Sequence, residues 1–264
     1  MPVAAESLRI VVLGSGTSVG VPMVGCRCAV CHSTDPRDKR LRPSILLQYG
    51  GRNVVIDTTP DFRYQALRAG IDHLDAVLVT HAHADHIMGL DDVRPLNIHQ
   101  RHAIPVYGSP ETIATIERCF SYIFDARETE SWVPKLELRS FGDGAFDLGG
   151  LVVTPIPVMH GKQRIHGFRF GRAAYITDQS DIPPESLEML RGLDVLFLDA
   201  LRHTFHPTHS TVARALQWVG ELAPARAYFT HICHSLPHEE TQRELPSNVY
   251  LAHDTLEIDV REAG

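Results

Sequence analysis

The six residues from His81 to His86, HAHADH, carry three imidazoles and one aspartate directly behind the apolar run AVLVT. Neutral imidazoles gain little from one another, whereas a metal ion needs several nitrogen and oxygen donors converging on one point. The H-x-H-x-D-H spacing lets a tight loop aim two imidazoles one way and an Asp–His pair another, which suits two adjacent metals better than one. Donor-type residues recur after other apolar runs: Asp57 after NVVI, His160 after TPIPVM, Asp178 after AAYIT and His231 after RAYFT. Strand ends hold side chains rigidly at one edge of a sheet, so a site assembled from several of them is a natural way for an α/β scaffold to carry catalytic groups. Asp57 reads either as an acceptor that orients a ligand histidine or as a turn cap.

A second cluster stands in GCRCAVCH, where Cys26, Cys28 and Cys31 form a C-x-C-x2-C hook. Three thiolates need one more donor to complete a tetrahedral zinc, and the adjacent His32 is poorly placed to supply it. His234, in THICHSLPHEE, lies three residues beyond His231. The five cysteines are an odd number, and such a cluster reads as a metal site before a disulfide set, with a disulfide and a spare thiol as the alternative. Cys119, in an amphipathic stretch, is expected in the core, and packing is also the reading for Cys233. In RHTFHPTHST, His209 is expected at a helix start, where an imidazolium can protonate a leaving oxygen or bind phosphate; His203 and His206 have no such support. Arg94 reads either as a bidentate phosphate ligand or as a surface partner of Asp91. The glycine-rich LGSGTSVGVP lacks the P-loop lysine and the dinucleotide spacing, so it reads as a tight strand-to-loop turn near the mouth.

The elements that must position these residues are short. Strand-type runs include LRIVVLG, SILLQYG, NVVIDTT, IPVYG, IHGFRFG, VLFLDA and VYLAHD. Helical spacing appears in PETIATIERCFSYIF, starting near Ser109 or Pro110, in PPESLEML and in STVARALQWVGEL. Strands and helices mix along the whole length, with no linker-like tract, and the alternation occurs in both halves, as a pseudo-duplicated architecture would require. The expectation is one α/β domain over residues 1–264, two mixed sheets face to face with helices outside.

In this order the donors resemble the metallo-β-lactamase superfamily of metal-dependent hydrolases: VVIDTTPD for the early strand ending in aspartate, THAHADHIMGL for the signature loop, then His160, Asp178 and His231. The resemblance implies an αββα sandwich, with one metal on His81, His83 and His160, a second on Asp85, His86 and His231, Asp178 bridging, and attack by a bridging hydroxide. A bridging carboxylate suits manganese or iron alongside zinc. The cysteine hook, together with GSGTSVGVPMVGCRCAVC and GLDDVRPL, is similar to the phosphoribosyl 1,2-cyclic phosphate phosphodiesterases of the carbon–phosphorus lyase pathway. That likeness implies a structural zinc on Cys26, Cys28, Cys31 and His234, and hydrolysis of a small cyclic phosphate to ribose 1,5-bisphosphate. His209, Asp85 and Asp178 are then the catalytic residues, His209 as proton donor. The alternatives are a thioester, lactone or RNA 3′-end hydrolase of the same fold, a cofactor-biosynthesis member that shares the hook, or a non-catalytic binding protein.

The formal net charge of -7 argues against a broad basic surface for nucleic acid, so no stable nucleic-acid partner is expected. No apolar run approaches the roughly 20 residues that span a bilayer, and no basic region precedes an apolar stretch at the start. These features point to a cytoplasmic protein with a small phosphorylated substrate, no membrane partner and room for a homodimer.

Overall fold

The computed structural model describes residues 8–125 and 132–260. The strands, in chain order, are β1 (Leu8–Gly14), β2 (Ser44–Tyr49), β3 (Arg52–Ile56), β4 (Ala76–Leu78), β5 (Ile104–Gly108), β6 (Leu136–Ser140), β7 (Phe146–Asp147), β8 (Val152–His160), β9 (Gln163–Phe170), β10 (Ala173–Ile176), β11 (Val195–Asp199), β12 (Arg226–Thr230), β13 (Val249–Leu251) and β14 (Glu257–Val260). They form two mixed seven-stranded sheets, β14-β1-β2-β3-β4-β5-β6 and β13-β12-β11-β10-β9-β8-β7. Each half of the chain therefore builds one sheet, except that β14 returns to lie antiparallel to β1, with Leu8 opposite Val260.

Alternation along each strand creates the layers. In β1, Ile10 and Val12 face the inter-sheet core, where Ile45, Leu47 and Ile56 of their own sheet meet Phe168, Phe170, Tyr175 and Phe197 of the other. Val11 and Leu13 face the opposite way, into a cluster with Phe62, Ile87, Leu90 and Ile116 from helical segments. The second sheet repeats the arrangement: Ala174, Ile176, Leu196 and Leu198 pack on Leu187, Val212, Trp218 and Leu222. Strands covered on both faces read as continuous apolar runs, which is why VLFLD is buried at every position. Each such side chain contributes roughly 1.5–3 kcal/mol on burial, so the core outweighs the cost of holding polar residues at its rim.

The helix Val212–Leu222 forms where expected. Thr211 caps it by accepting the Arg214 amide, apolar residues recur at helical spacing, and Ala223 ends it in a left-handed conformation. Ser109 caps Pro110–Cys119 in the same way. Three strands lacked an apolar run to announce them. LELRS forms a half-exposed edge, β7 is two residues long, and EIDV alternates exposed with buried residues. Cys119 is exposed, not in the core, because the buried residues of its helix are Thr112 and Ile116.

The strands β3 to β6 run parallel, as do β10 to β13. Their carboxyl ends deliver Asp57, His81, Asp178, Asp199 and His231 to one rim of the sandwich, the location at which α/β sheets bind ligands. No helix among the described residues is long and apolar enough to cross a membrane.

Candidate active site

Three of the donor residues break the usual backbone rules. Asp57, Asp178 and His231 each have φ near +60°, at 66°, 58° and 58°. Non-glycine residues adopt this left-handed region rarely, and Asp and His tolerate it best. Each residue ends an apolar strand, so the conformation turns the chain sharply while the side chain stays at the sheet rim. Such strain persists where the surroundings over-determine it, as at functional sites.

The loop after β4 supplies the first donors. Gly89 closes it against the end of β3, its amide 2.9 Å from the Thr58 carbonyl. A Cβ there would sit 1.9 Å from the Thr59 carbonyl oxygen, so only glycine permits the approach. His81, His83 and His160 present donor atoms within 4.8 Å of one another, and so do Asp85, His86, Asp178 and His231. The two groups adjoin. The His81 and His86 rings are 4.2 Å apart. Asp178 lies between them: Oδ1 is 3.4 Å from His86 Nε2, while Oδ2 is 3.2 Å from His231 Nε2 and 4.0 Å from His81 Nε2. These are the sets that the sequence resemblance implied, brought together by four separate strand ends and one loop.

Three of the histidine donors are oriented by another group. Asp57 Oδ2 lies 2.7 Å from His86 Nδ1 and also accepts the Thr80 hydroxyl at 2.8 Å. With its proton so placed, Thr80 Oγ1 accepts from His81 Nδ1 at 3.1 Å. His160 Nδ1 donates to the Thr208 carbonyl at 2.8 Å. All three contacts commit Nδ1 and leave Nε2 to face the cluster, the arrangement that fixes the tautomer of a metal-binding imidazole. Of its two readings, Asp57 therefore takes the orienting one.

The charges and unmatched atoms test whether metal suits this cluster. His81 Nε2, His86 Nε2 and both nitrogens of His231 are buried with no hydrogen-bond partner among the described residues. Buried polar atoms left unpaired cost on the order of 1–3 kcal/mol each. Burial holds His81 well below the ordinary imidazole range, helped by His86. Burial also acts to lower His86 and His231, but Asp178 and Asp85 outweigh it and raise both. Asp178 is in turn held well below the carboxylate range, as His231 and His86 overcome the effect of burial. The carboxylates thus demand positive charge in the interior, and nitrogens converge where it is needed. A divalent ion supplies that charge and satisfies those nitrogens together, so the residues fit the group.

The second cluster has a different construction. Cys26, Cys28, Cys31 and His234 present donors within 4.8 Å of one another. The Cys26 and Cys28 sulfurs lie 3.2 and 3.3 Å from His234 Nδ1. All five cysteines are free thiols. The Cys28 thiol is lowered to about 6 by the Cys31 amide and then by His234, while burial raises Cys31 to about 11. A tetrahedral ion suits three sulfurs and one imidazole.

His209 stands beside the first cluster, its ring 4.8 Å from His160 and 4.5 Å from His231. It is not at the helix start: Thr211 holds that position, and His209 is instead fixed by Asp199, whose Oδ2 lies 2.6 Å from Nδ1. Burial first, then His231, lowers His209 to about 3, and burial raises Asp199 well above the carboxylate range. His206, which had no support from sequence, packs its ring 5.0 Å from His209. Asp199 was also missed, although VLFLD followed by a turn repeats the strand-then-aspartate pattern of Asp57 and Asp178. Arg94 stays outside the site. It donates to the Trp132 carbonyl at 2.8 Å and lies 3.7 Å from Asp91, which satisfies the surface reading and not the phosphate one. The glycine-rich turn does reach the mouth: Thr17 N–H donates to the Ile232 carbonyl at 3.1 Å.

Comparison with known proteins bears on the family and the fold. The model of the beta-lactamase superfamily domain matches residues 52–232. A crystal structure of a diphosphatase from the PhnP family is 51% identical, with a TM-score of 0.92, covering 97% of this chain and 98% of that one. Zinc-bound PqqB from Methylobacterium extorquens shares the fold at 20% identity and a TM-score of 0.78, covering 96% of this chain and 100% of that one. An octanoyltransferase of Porphyromonas gingivalis is 40% identical over 97% of this chain but only 52% of its own length. A ribonuclease Z of Bradyrhizobium diazoefficiens matches at 29% over 51% of this chain and 46% of its own. The chain thus spans about half the length of these two curated relatives.

Proposed function

The chain belongs to the beta-lactamase superfamily, as a metal-dependent hydrolase related to the PhnP family, and from that membership we propose that it cleaves a P–O bond in a small phosphodiester. The observation that carries the reading is Asp178, whose two oxygens face two donor clusters at once, with the His209–Asp199 pair alongside. When bound, two divalent ions supply Lewis acidity and a nucleophile from water near neutral pH, and leave the site about +2 after Asp85 and Asp178, which favours an anionic phosphoryl group over a neutral ester. The ligand sets are those of the two clusters, with a third, structural zinc on the cysteine hook.

The chain's own residues handle the proton. Burial lowers His209 to about 3 and raises Asp199 well above the carboxylate range, so it disfavours charge on both members of the pair. A phosphoryl anion beside Nε2 of His209 favours the charged form of the pair, in which the proton shared with Asp199 sits on Nδ1 and Nε2 keeps its own. Asp199, then a carboxylate 2.6 Å from Nδ1, balances the imidazolium and holds it in plane. Nε2 is placed to protonate the departing oxygen.

The resemblance of the hook favours a cyclic ribose phosphate as substrate. The 51% identical diphosphatase favours a second reading within the same chemistry, scission of a P–O–P bridge. The octanoyltransferase relative is about twice this chain's length, so its name describes a larger protein. Phosphorus NMR of zinc-loaded protein, mixed in turn with phosphoribosyl 1,2-cyclic phosphate and a nucleotide-sugar diphosphate, separates the two readings. Parallel assays with an octanoyl thioester and a 3′-extended RNA test the alternatives. Conversion of either phosphorus compound, reduced about 100-fold or more in His209→Ala, is the expected result; thioester or RNA cleavage with no phosphorus product overturns the reading.

A further inference from the structure

His81, His86 and His160 are each turned by a hydrogen bond at Nδ1. His231 is not: both of its ring nitrogens are buried without a hydrogen-bond partner among the described residues. Its aim therefore depends on its backbone, which sits at φ 58°, a conformation that persists only where the surroundings over-determine it. Upstream, β12 fixes Thr230 opposite Asp199. Downstream comes Ile232, and one short segment holds both of its backbone groups. Ile232 N–H donates to the Ser15 carbonyl at 3.0 Å, and the Ile232 carbonyl accepts Thr17 N–H at 3.1 Å. The next anchor, Cys233 N–H on the Leu201 carbonyl at 3.1 Å, lies beyond that pair.

The Ser15–Thr17 segment is held in turn by a buried arginine. Arg40, between the cysteine hook and β2, is 2% exposed. Its Nη1 donates to Ser15 Oγ at 2.9 Å and to the Ala252 carbonyl, and its Nη2 donates to His238 Nδ1 at 3.0 Å. The Ser15 hydroxyl passes the link on by donating to Asp254 Oδ1 at 2.9 Å, and the Ser15 amide donates to the same oxygen at 3.0 Å. Asp254 Oδ2 accepts the Leu41 amide at 3.0 Å and Arg68 at 3.2 Å. Gly16 lies against Arg40 so closely that a Cβ would stand 2.8 Å from the Arg40 carbonyl oxygen. Arginine is almost never fully buried unless paired, and a buried ion network is a weak source of net stability because desolvation offsets the attraction. What this one fixes is geometry, and the geometry is that of the segment beside Ile232.

We propose that Arg40, acting through Ser15 and Asp254, is the positioning residue for His231, and so sets the affinity of the metal half-site that His231 shares with Asp85 and His86. The inference rests on the two-metal reading of the cluster and is independent of which bond is cleaved. Arg40 bonds to none of the metal donors, so its influence runs through the backbone of Ser15 and Ile232. None of the hook's sulfurs takes part in this brace, so it holds His231 separately from the hook.

Two measurements on the full chain test this. In zinc titrations against a chromophoric chelator, Ser15→Ala and Arg40→Met are expected to lose about 10–100-fold in affinity at the half-site that His231→Gln abolishes, while the remaining zinc sites hold. Leu222→Ala, a core truncation in the helix Val212–Leu222, lowers the melting temperature by several degrees but should leave every zinc affinity within about twofold. Imidazole nitrogen NMR of the same proteins at saturating zinc, with His231 assigned from His231→Gln, should show the His231 signals shifted or broadened in Ser15→Ala while those of His81 and His160 stay in place. Ser15 is small, so its variant decides the matter even where Arg40→Met fails to fold. Wild-type zinc affinities and an unmoved His231 signal in Ser15→Ala overturn the proposal, as does an equal loss of affinity in Leu222→Ala. A wild type that loads zinc only at the hook refutes the two-metal reading instead, and the His231 signal then decides the brace by itself.

Discussion

At the histidine–aspartate cluster, donors stand at strand ends or on the adjoining loop and are turned by a further group: His86 by Asp57, His81 by Thr80, His160 by the Thr208 carbonyl, Asp178 by the Thr177 hydroxyl at 2.6 Å. At the cysteine cluster the donors sit on a loop and a four-residue helix, only Cys31 is buried, and the supporting bonds are backbone amides to sulfur at 3.4 Å. Four donors of the first site are thus oriented by protein groups alone. The second joins Cys28 to His234 across 206 residues, and an ion bound there would be the fastening. One arrangement prepares a geometry for chemistry; the other closes a long loop, where metal binding is folding energy.

The contrast can be broken most directly at Asp178. Asp178→Asn is expected to lose about 10³-fold or more in turnover while the metal-loaded protein melts within a few degrees of the wild type, because the change removes charge and not volume. Cys28→Ser should do the reverse. It should hold one fewer metal ion per chain by elemental analysis and melt roughly 10 °C lower, yet keep turnover within about tenfold wherever it remains folded. Loss of turnover in folded Cys28→Ser would show that the hook acts on the chemistry and that the division of labour is wrong.

A smaller effect sharpens the picture of orientation. Asp57→Asn should weaken metal binding at the His86 half by about 10–100-fold, with much of the turnover restored at saturating metal. A variant unaffected in metal titrations would leave Asp57 as a backbone device only, serving the turn at φ 66°.

The smallest effect concerns pH on the cysteine-hook side. His238 is buried, takes a hydrogen bond from Arg40 on Nδ1 at 3.0 Å, and is lowered to about 4 by burial and then by Arg40. A histidine lowered on folding contributes stability that is complete above the ordinary imidazole value and is lost as pH falls from there towards 4. The contribution amounts to about 2 kcal/mol between pH 7 and 5. Denaturant melts of His238→Asn should therefore show a shallower pH dependence than the wild type across that interval; parallel curves would count against the assignment.

Much of the site was legible because ligand chemistry is local in type. Three histidines and an aspartate in six residues cannot all gain from one another, and an acidic or basic residue at the end of an apolar strand has few structural reasons to be there. The same apolar runs marked most strands, since burial on both faces removes polar residues from the sequence. The groups that complete the site were not legible. Thr208 contributes a backbone carbonyl, which has no side-chain signature, and Thr80 is an ordinary threonine until Asp57 arrives from a neighbouring strand. The half-exposed LELRS and the two-residue β7 are strands only because neighbours pair with them. Whether Arg94 met a phosphate or a carbonyl, and whether Cys119 lay in or out, depended on how the helices rotate against the sheet. Residue types and spacing thus determined the donors and the sheet-forming runs, because both follow from short-range chemistry. Tertiary structure decided the orienting partners and the His209–Asp199 pair, because each depends on which distant segments packing brings within about 3 Å of one another.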